Sequence, residues 1–311
     1  MAEITAKLVK DLREMTGAGM MDCKKALMTV GADMEKAVEF LREKGLAGAA
    51  KKAGRIAAEG MVVTAVSEDE KKAVVVEVNA ETDFVAKNEV FRTYAADVAA
   101  QALATTATTM DAFMAEPWSK DASLTVKEAL SAQISIIGEN MDIRRFDKKT
   151  EDNGMIASYI HAGGKIGVLI DVETNVINDA IKEMAKNVAM QAAALKPLYT
   201  SDAEVDAEYI EKEKEILTAA AKNEKPDAND KIIAGMVMGR IKKELKEICL
   251  LDQVYVKAED GKQSVAQYVA EVAKANSATI TIKGFSRFET GEGLAKKDED
   301  FAAEVAKQMG Q

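Results

Sequence analysis

The chain has 311 residues, 48% of them apolar, enough for roughly two domains with buried cores. Acids outnumber bases 52 to 42, a net charge of −10 that disfavours nucleic acid as the main ligand; eight Phe, six Tyr and one Trp leave few platforms for stacked bases. His161 is the single histidine, which excludes metal sites built on several imidazoles, and no apolar run reaches membrane-spanning length.

The opening stretch MAEITAKLVKDLREM is charged and amphipathic, unlike a secretory or transit leader. Cys23 and Cys249 form no CxxC pattern and read as free thiols. A cytoplasmic location without a membrane partner is therefore expected. Residues 1–55 read as a three-helix unit with a linker. Leu8, Leu12 and Met15 recur at helical spacing until Thr16-Gly17-Ala18-Gly19 interrupts them. Asp22 reads as the cap of a second helix carrying Cys23, Ala26, Leu27 and Val30, with Gly31 as its stop. Asp33 caps a third, with Ala37, Val38 and Leu41 inward and Gly45 as the stop. Residues 46–58 form a basic linker of small residues with some helical tendency.

The next segment contains an internal duplication. GMVVTAVSEDEKKAVVVEV, starting at Gly60, aligns without a gap on GMIASYIHAGGKIGVLIDV, starting at Gly154. Each reads as a β-hairpin, turning at Ser67–Lys71 and at His161–Gly164. A helix follows each, with Phe91, Tyr94, Ala95, Val98 and Ala102 matching Ile181, Met184, Ala185, Val188 and Ala192, and Gln101 matching Gln191. Each copy closes with a helix and a final strand, Met141–Phe146 in one and Thr279–Phe285 in the other. The fold class is therefore α+β with a duplicated core, residues 56–150 forming the first subdomain, and residues 151–199 with 249–290 the second. Residues 200–248 read as an inserted antiparallel helical hairpin, with Val205, Tyr209, Ile216 and Ala220 on one arm's face and Ile233, Val237, Ile241, Leu245 and Ile248 on the other's. Lys225-Pro226-Asp227 turns the corner. Such a hairpin meets a partner or a second copy of itself. Residues 291–311 form a C-terminal module with an acid-rich helix near Asp298–Met309.

The first copy carries four extra residues within NAETDFVAKNEV, Asn79–Val90. Thr82 suits an N-cap, and Asp83 suits the positive end of a helix dipole. On periodicity alone Phe84 could simply begin the stripe of Phe91, Ala95 and Val98. The second copy builds its helix without these residues, so folding does not require them. Glu77 with Asp83 makes a poor acid–base pair, because no nucleophile or metal ligand accompanies it. His161 could be a turn histidine or a contact residue. Gly163-Gly164-Lys165 fails as a phosphate loop, since Tyr159 stands at the earlier glycine position and Ile166 replaces the hydroxyl residue. Gly17-Ala18-Gly19 follows a helix and is equally weak. Direct nucleotide binding and a cofactor are not expected. Lys44, Lys51, Lys52 and Arg55 read as a solvated basic face. Trp118 reads as a packing anchor.

Three long motifs resemble the bacterial elongation factor Ts family: LREMTGAGMMDCKKAL at 12–27, EVNAETDFVAKN at 77–88 and GFSRFETGEG at 284–293. Ala80 departs from the pattern, where many members carry Cys. The resemblance implies an N-terminal domain of ubiquitin-associated type, a duplicated core, a helical-hairpin insertion of dimerisation type and a C-terminal helix. It implies guanine-nucleotide exchange on elongation factor Tu rather than enzyme activity. Thr82, Asp83, Phe84 and Val85 match the element that intrudes into the partner's GTPase domain and dislocates its Mg²⁺. Arg13, Met20, Met21 and Lys24 match residues that dock the N-terminal unit. Ile137 and Gly138 match the loop beside the intruding Phe, and His161 matches an interface histidine. A homodimer or two-plus-two complex through the hairpin follows as a further expectation. The rival readings are a scaffold without exchange activity, an enzyme using Glu77 and Asp83, and an RNA binder, the last opposed by the net charge.

Overall fold

The computed structural model describes residues 4–295, so the helix expected near Asp298–Met309 lies outside them. Among the described residues, eleven α-helices and three small antiparallel sheets form a mixed α+β architecture. None of these helices is long and apolar enough to cross a membrane.

Helices α1 (Ala6–Thr16), α2 (Met20–Val30) and α3 (Met34–Lys52) bury Val9, Leu12, Cys23, Ala26, Leu27 and Ala37 together. Three details differ from the sequence reading. Met15 points outward, and Val9 takes the place expected for it, with Leu8 only partly buried. Gly19 rather than Asp22 caps α2, leaving Asp22 in the first turn, where it pairs with Lys44. Gly45 does not stop α3, which continues to Lys52. The glycine instead permits close helix packing, since a Cβ there would already lie 3.7 Å from the Ser135 Cβ. Ser135 belongs to a helix of the core, and an Arg42–Glu128 ion pair of 2.5 Å ties the same two helices.

In the first core copy, β1 (Glu59–Val66) and β2 (Lys72–Ala80) form the hairpin, followed by α4 (Asp83–Lys87), α5 (Glu89–Ala104) and α6 (Met110–Ala115). A short ribbon, β3 (Pro117–Trp118) with β4 (Asp121–Thr125), leads to α7 (Val126–Ile137) and β5 (Met141–Thr150). The second copy has β6 (Gly154–His161), β7 (Ile166–Thr174), α8 (Asp179–Leu195), α9 (Ala207–Glu224), α10 (Asp230–Ile248), α11 (Val265–Ala275) and β8 (Ile280–Glu289). The sheet orders β1-β2-β5 and β6-β7-β8 are equivalent.

The likeness extends to irregularities. Each outer strand bulges at the same place, with Arg144 left over opposite Glu77/Val78 and Lys283 opposite Asp171/Val172. Gly60 and Gly154 occupy matching close approaches, where a Cβ would stand 2.2 Å from the Val78 oxygen and 2.0 Å from the Val172 oxygen. Gln101 Nε2 donates to Pro117 O and Gln101 Oε1 accepts from Ser119 N; Gln191 bonds Val254 O and Val256 N in the same way. Thr125 and Ser264 both form capping boxes.

Strand β2 is buried on both faces because the two sheets pack together. Val74, Val76 and Val78 face α5 and α7, whereas Ala73 and Val75 meet Ile156 and Leu169 of the other sheet. The next inward residue, Glu77, is fully buried. It accepts from Arg145 Nε at 2.6 Å, Arg144 Nη1 at 3.1 Å, Asn79 Nδ2 at 3.1 Å and the Gly291 amide at 2.7 Å. A buried charge is tolerable only when satisfied in this way.

The inserted helices α9 and α10 pack through Ala221, Ile233, Val237 and Ile241, with Leu217 and Leu245 beside them. Ile216, expected inward, is exposed, so the buried face of α9 is rotated by one residue. Its Ile216 phase followed the larger side chain, but the contact is made by the small Ala221, which lets the helices approach.

Asp171, the counterpart of Glu77, has no arginine fork. Burial pushes its carboxyl up to about 6, and a hydrogen bond with Glu151 adds to the effect. Two carboxyls can bond only when one is protonated. Against an unfolded value of about 3.9, the folded state binds more protons between roughly pH 4 and 6, so this site loses stability as pH rises through that window. Thermal melts of Asp171→Asn should therefore show a midpoint advantage over wild type that grows across those pH values and then levels off. A constant or shrinking difference would contradict the account.

Candidate functional site

The extra residues of the first copy lie between the end of β2 and the start of α5. In the second copy four residues, Asn175–Asn178, make the same connection. Here Glu81–Asn88 fold into the short helix α4. Thr82 caps it, its Oγ1 accepting from the Val85 amide at 3.4 Å, and Asn88 ends it while capping α5 through the Val90 amide at 2.8 Å. Val85 turns inward to the first core. Phe84 turns the other way and is 80% exposed, so it does not join the stripe of Phe91, Ala95 and Val98.

An exposed aromatic on a five-residue helix needs external support, because isolated helices of that length do not persist. Four residues supply it. Glu139 accepts from the Thr82 amide at 3.0 Å and from the Thr82 hydroxyl at 2.8 Å. Glu81 Oε1 accepts from the Asn140 amide at 2.6 Å and reaches Arg55 Nη1 at 3.4 Å. Asn140 Nδ2 in turn donates to the Arg55 carbonyl at 2.8 Å. Gly138 makes the approach possible by ending α7 with φ +89°, a conformation disfavoured for other residues. Ile137, half-buried, anchors this loop on the first core.

On the outer side, Asp83 pairs with Lys87 at 2.6 Å. That hydrogen bond holds the Asp83 carboxyl below its usual range, and the Lys165 charge adds to it. The Lys87 ammonium also lies 5.9 Å from the Phe84 ring centre. A cleft of about 720 Å³ separates the tip from the Ala162–Gly163 turn, floored by Glu59 and Gly60. His161 is the last residue of β6 rather than part of the turn proper, and is exposed, its Nδ1 2.9 Å from the Tyr159 hydroxyl.

The structure thus brings Thr82–Phe84, the Ile137–Gly138 loop and the turn after His161 to one end of the core. Arg13, Met20, Met21 and Lys24 are exposed on α1 and α2. They approach that end through Gly17, where a Cβ would lie 3.1 Å from Ile136 Cδ1. Met15, expected inward, and Met28 extend the exposed methionine surface, and neither was read as a contact residue from sequence. Glu77 and Asp83 do not form a pair, since Glu77 is committed to its arginines and Asp83 to Lys87. Arg55 and Lys44 of the basic cluster are tied to Glu81 and Asp22. Sequence reasoning missed Glu81, Glu139 and Asn140 as supports. Their local signals were the runs ETDFVAKN at 81–88 and IIGEN at 136–140, which do not reveal the pairing, because partners 57 and 59 residues apart leave no periodic trace.

Glu139→Ala removes two charge-assisted bonds, each worth about 1.5–3 kcal/mol. Amide exchange across 82–88 should accelerate by about tenfold or more, with β2 and α5 staying protected. Unchanged protection of 82–88 would show that the tip is held by other means.

The family model described as elongation factor TS matches residues 81–292. Elongation factor Ts of Clostridium botulinum (strain Eklund 17B / Type B) is 53% identical over 308 residues, covering 99% of both chains. That of Clostridium perfringens (strain 13 / Type A) is 54% identical over 308 residues, again with 99% of both covered. That of Clostridioides difficile (strain 630) is 52% identical over 309 residues, covering 99% of this chain and 100% of the relative.

Proposed function

Because the chain belongs to the elongation factor Ts family, we propose that it is the guanine-nucleotide exchange factor for elongation factor Tu in translation elongation. It acts in the cytoplasm, makes and breaks no covalent bond, and needs no cofactor. The observation that carries this reading is Phe84, an aromatic ring left in solvent at the end of a braced helix.

In this reading Asp83 and Phe84 enter the GTPase domain of the partner, with Thr82 fixing the helix that carries them. Val85 stays in its own core and acts as the root of the wedge. Insertion displaces the partner's groups that hold Mg²⁺. That ion would neutralise phosphate charge on the bound nucleotide, so its loss would weaken the hold on GDP. The coupling is reciprocal: a factor that favours the nucleotide-free partner is expelled when GTP binds. A rigid tip suits this work, since energy otherwise needed to order it remains available to displace partner groups. Arg13, Met20, Met21 and Lys24 dock the N-terminal unit on the same partner. Ile137 and Gly138 back the intruding ring, and His161 makes a further contact at the far side of the cleft.

The test is release of a fluorescent GDP analogue from elongation factor Tu with a catalytic amount of this protein. Wild type should accelerate release, and Asp83→Ala/Phe84→Ala should lose about thirtyfold or more of that acceleration, the scale of a ~2 kcal/mol hot spot. No acceleration by wild type sinks the exchange reading; an equally active double variant sinks the wedge.

We further propose that the hairpin of α9 and α10 mediates self-association, as a homodimer or as a two-plus-two complex with the partner. Ile216, Ile232 and Met238 remain exposed on it, an apolar surface beyond what the hairpin uses internally. Replacing residues 206–245 by a short Gly-Ser linker should lower the number of chains per particle found by sedimentation, alone or in the complex. An unaltered number of chains per particle in both states would remove this role.

A further inference from the structure

Helix α3 takes part in two cores. Its first half supplies Ala37, Val38 and Leu41 to the N-terminal unit, and its second half places Ala49 in the first core of the duplicated body. Ala37, Leu41, Gly45 and Ala49 are four residues apart, so they form one row along the helix. The expected linker is thereby reduced to residues 53–58, between the end of α3 and the start of β1. A continuous helix shared by two packed units transmits orientation, whereas a flexible linker does not.

The surface that receives α3 is α7. Ser131 and Ser135 lie against Gly45, and Glu128 pairs with Arg42. In the last turn of α7, Ile136 meets Gly17, the glycine that ends α1. Immediately beyond, Gly138 ends α7, Glu139 holds Thr82, and the Asn140 amide holds Glu81. Residues 128–140 therefore seat both the N-terminal unit and the short helix that carries Phe84. Insertion of the wedge by itself requires neither the Arg42–Glu128 pair nor the close approach at Gly45.

We propose that α7 is a register element that fixes the N-terminal docking surface relative to Phe84, with Gly45 as its principal positioning residue, so that the partner is met at two points by one rigid body. This rests on the exchange reading. Two surfaces held in fixed relation make their second contact intramolecularly, at high effective concentration and with little further loss of freedom. Gly45 touches no partner in this scheme; it sets the approach of the helices. A Cβ there would stand 3.7 Å from the Ser135 Cβ and 3.9 Å from the Ser131 oxygen, so a methyl group fits and a longer side chain pushes the helices apart.

The test uses the full chain and two kinds of variant. Gly45→Leu favours helix over glycine, so it leaves α3 intact while prying it from α7. Adding Arg42→Glu, which sets like charges together at Glu128, or using that change alone, serves if the leucine variant stays docked or does not fold. Gly45→Cys/Ser135→Cys does the opposite. The Cβ separation of 3.7 Å falls in the disulfide range of about 3.5–4.5 Å, so oxidation locks the helices together and reduction frees them. The native Cys23 and Cys249 are both buried. In the free protein, residual dipolar couplings of α1–α3 and of the core should fit one alignment tensor for wild type and the locked variant, and two for the pried variant. In release of a fluorescent GDP analogue from elongation factor Tu, prying should raise the factor concentration that gives half the maximal rate by about tenfold or more, with the maximal rate unaltered. The locked variant should match wild type in both quantities. Two tensors in wild type, an unchanged half-saturating concentration in a pried variant, or activity lost on locking and regained on reduction would each overturn the register while leaving exchange in place. No acceleration by wild type would remove the exchange reading and this proposal with it.

Discussion

The Glu77 carboxylate is the constraint on which much of the arrangement depends. It sits on the central strand of the first sheet, at the face pressed against the second. Leaving any of its lone pairs unmet would cost several kcal/mol in that setting. Arg144 and Arg145 can both reach it because β5 bulges at this point, placing two consecutive side chains on one side. The Gly291 amide adds a donor from beyond β8. Arg145 also lies over the Phe288 ring, 4.2 Å from its centre, and reaches Glu292. One buried charge thereby joins β2, β5 and the segment following the last strand.

The consequence for function is a firm platform. Three residues after Glu77 the chain leaves β2 and enters the short helix that carries Phe84. A strand buried on both faces and pinned by a satisfied charge has little freedom at its end. The Glu81–Asn140 and Thr82–Glu139 contacts extend that order beyond the sheet. The exposed ring is therefore displayed from a rigid base, although its helix has only five residues. The proposed wedge rests on the contrast between a buried, polar-satisfied root and an exposed apolar tip.

Duplication explains why the molecule could acquire such features without losing its core. The two copies share bulges, glycine contacts, capping boxes and the bonded glutamines, all of which serve folding. They diverge in the connection after the central strand and in the charge partner of Glu77 and Asp171. Asp171 has no arginine fork because Lys283 stands where Arg144 stands in the first copy, and Lys283 bonds Glu173 at 3.0 Å instead. The first leaves Phe84 exposed in one copy, and the second leaves Asp171 without the arginines that satisfy Glu77.

The sequence by itself determined what depends on local pattern. Alternating β-branched residues marked the hairpins, helical stripes such as Phe91–Ala102 marked the buried faces, and the register of the two copies exposed the four added residues around Thr82–Val85. Long motifs carried the family resemblance. Tertiary structure decided whatever depends on partners distant in the chain. Gly45 continues a helix because Ser131 and Ser135 lie against it, and Ile216 faces solvent because Ala221 makes the helix contact. Phe84 fits an apolar stripe by spacing, yet a separate short helix held by Glu139 and Asn140 turns it outward. Periodicity records which face of an element is apolar; only packing determines which neighbours meet it, and so which residues are left for a partner.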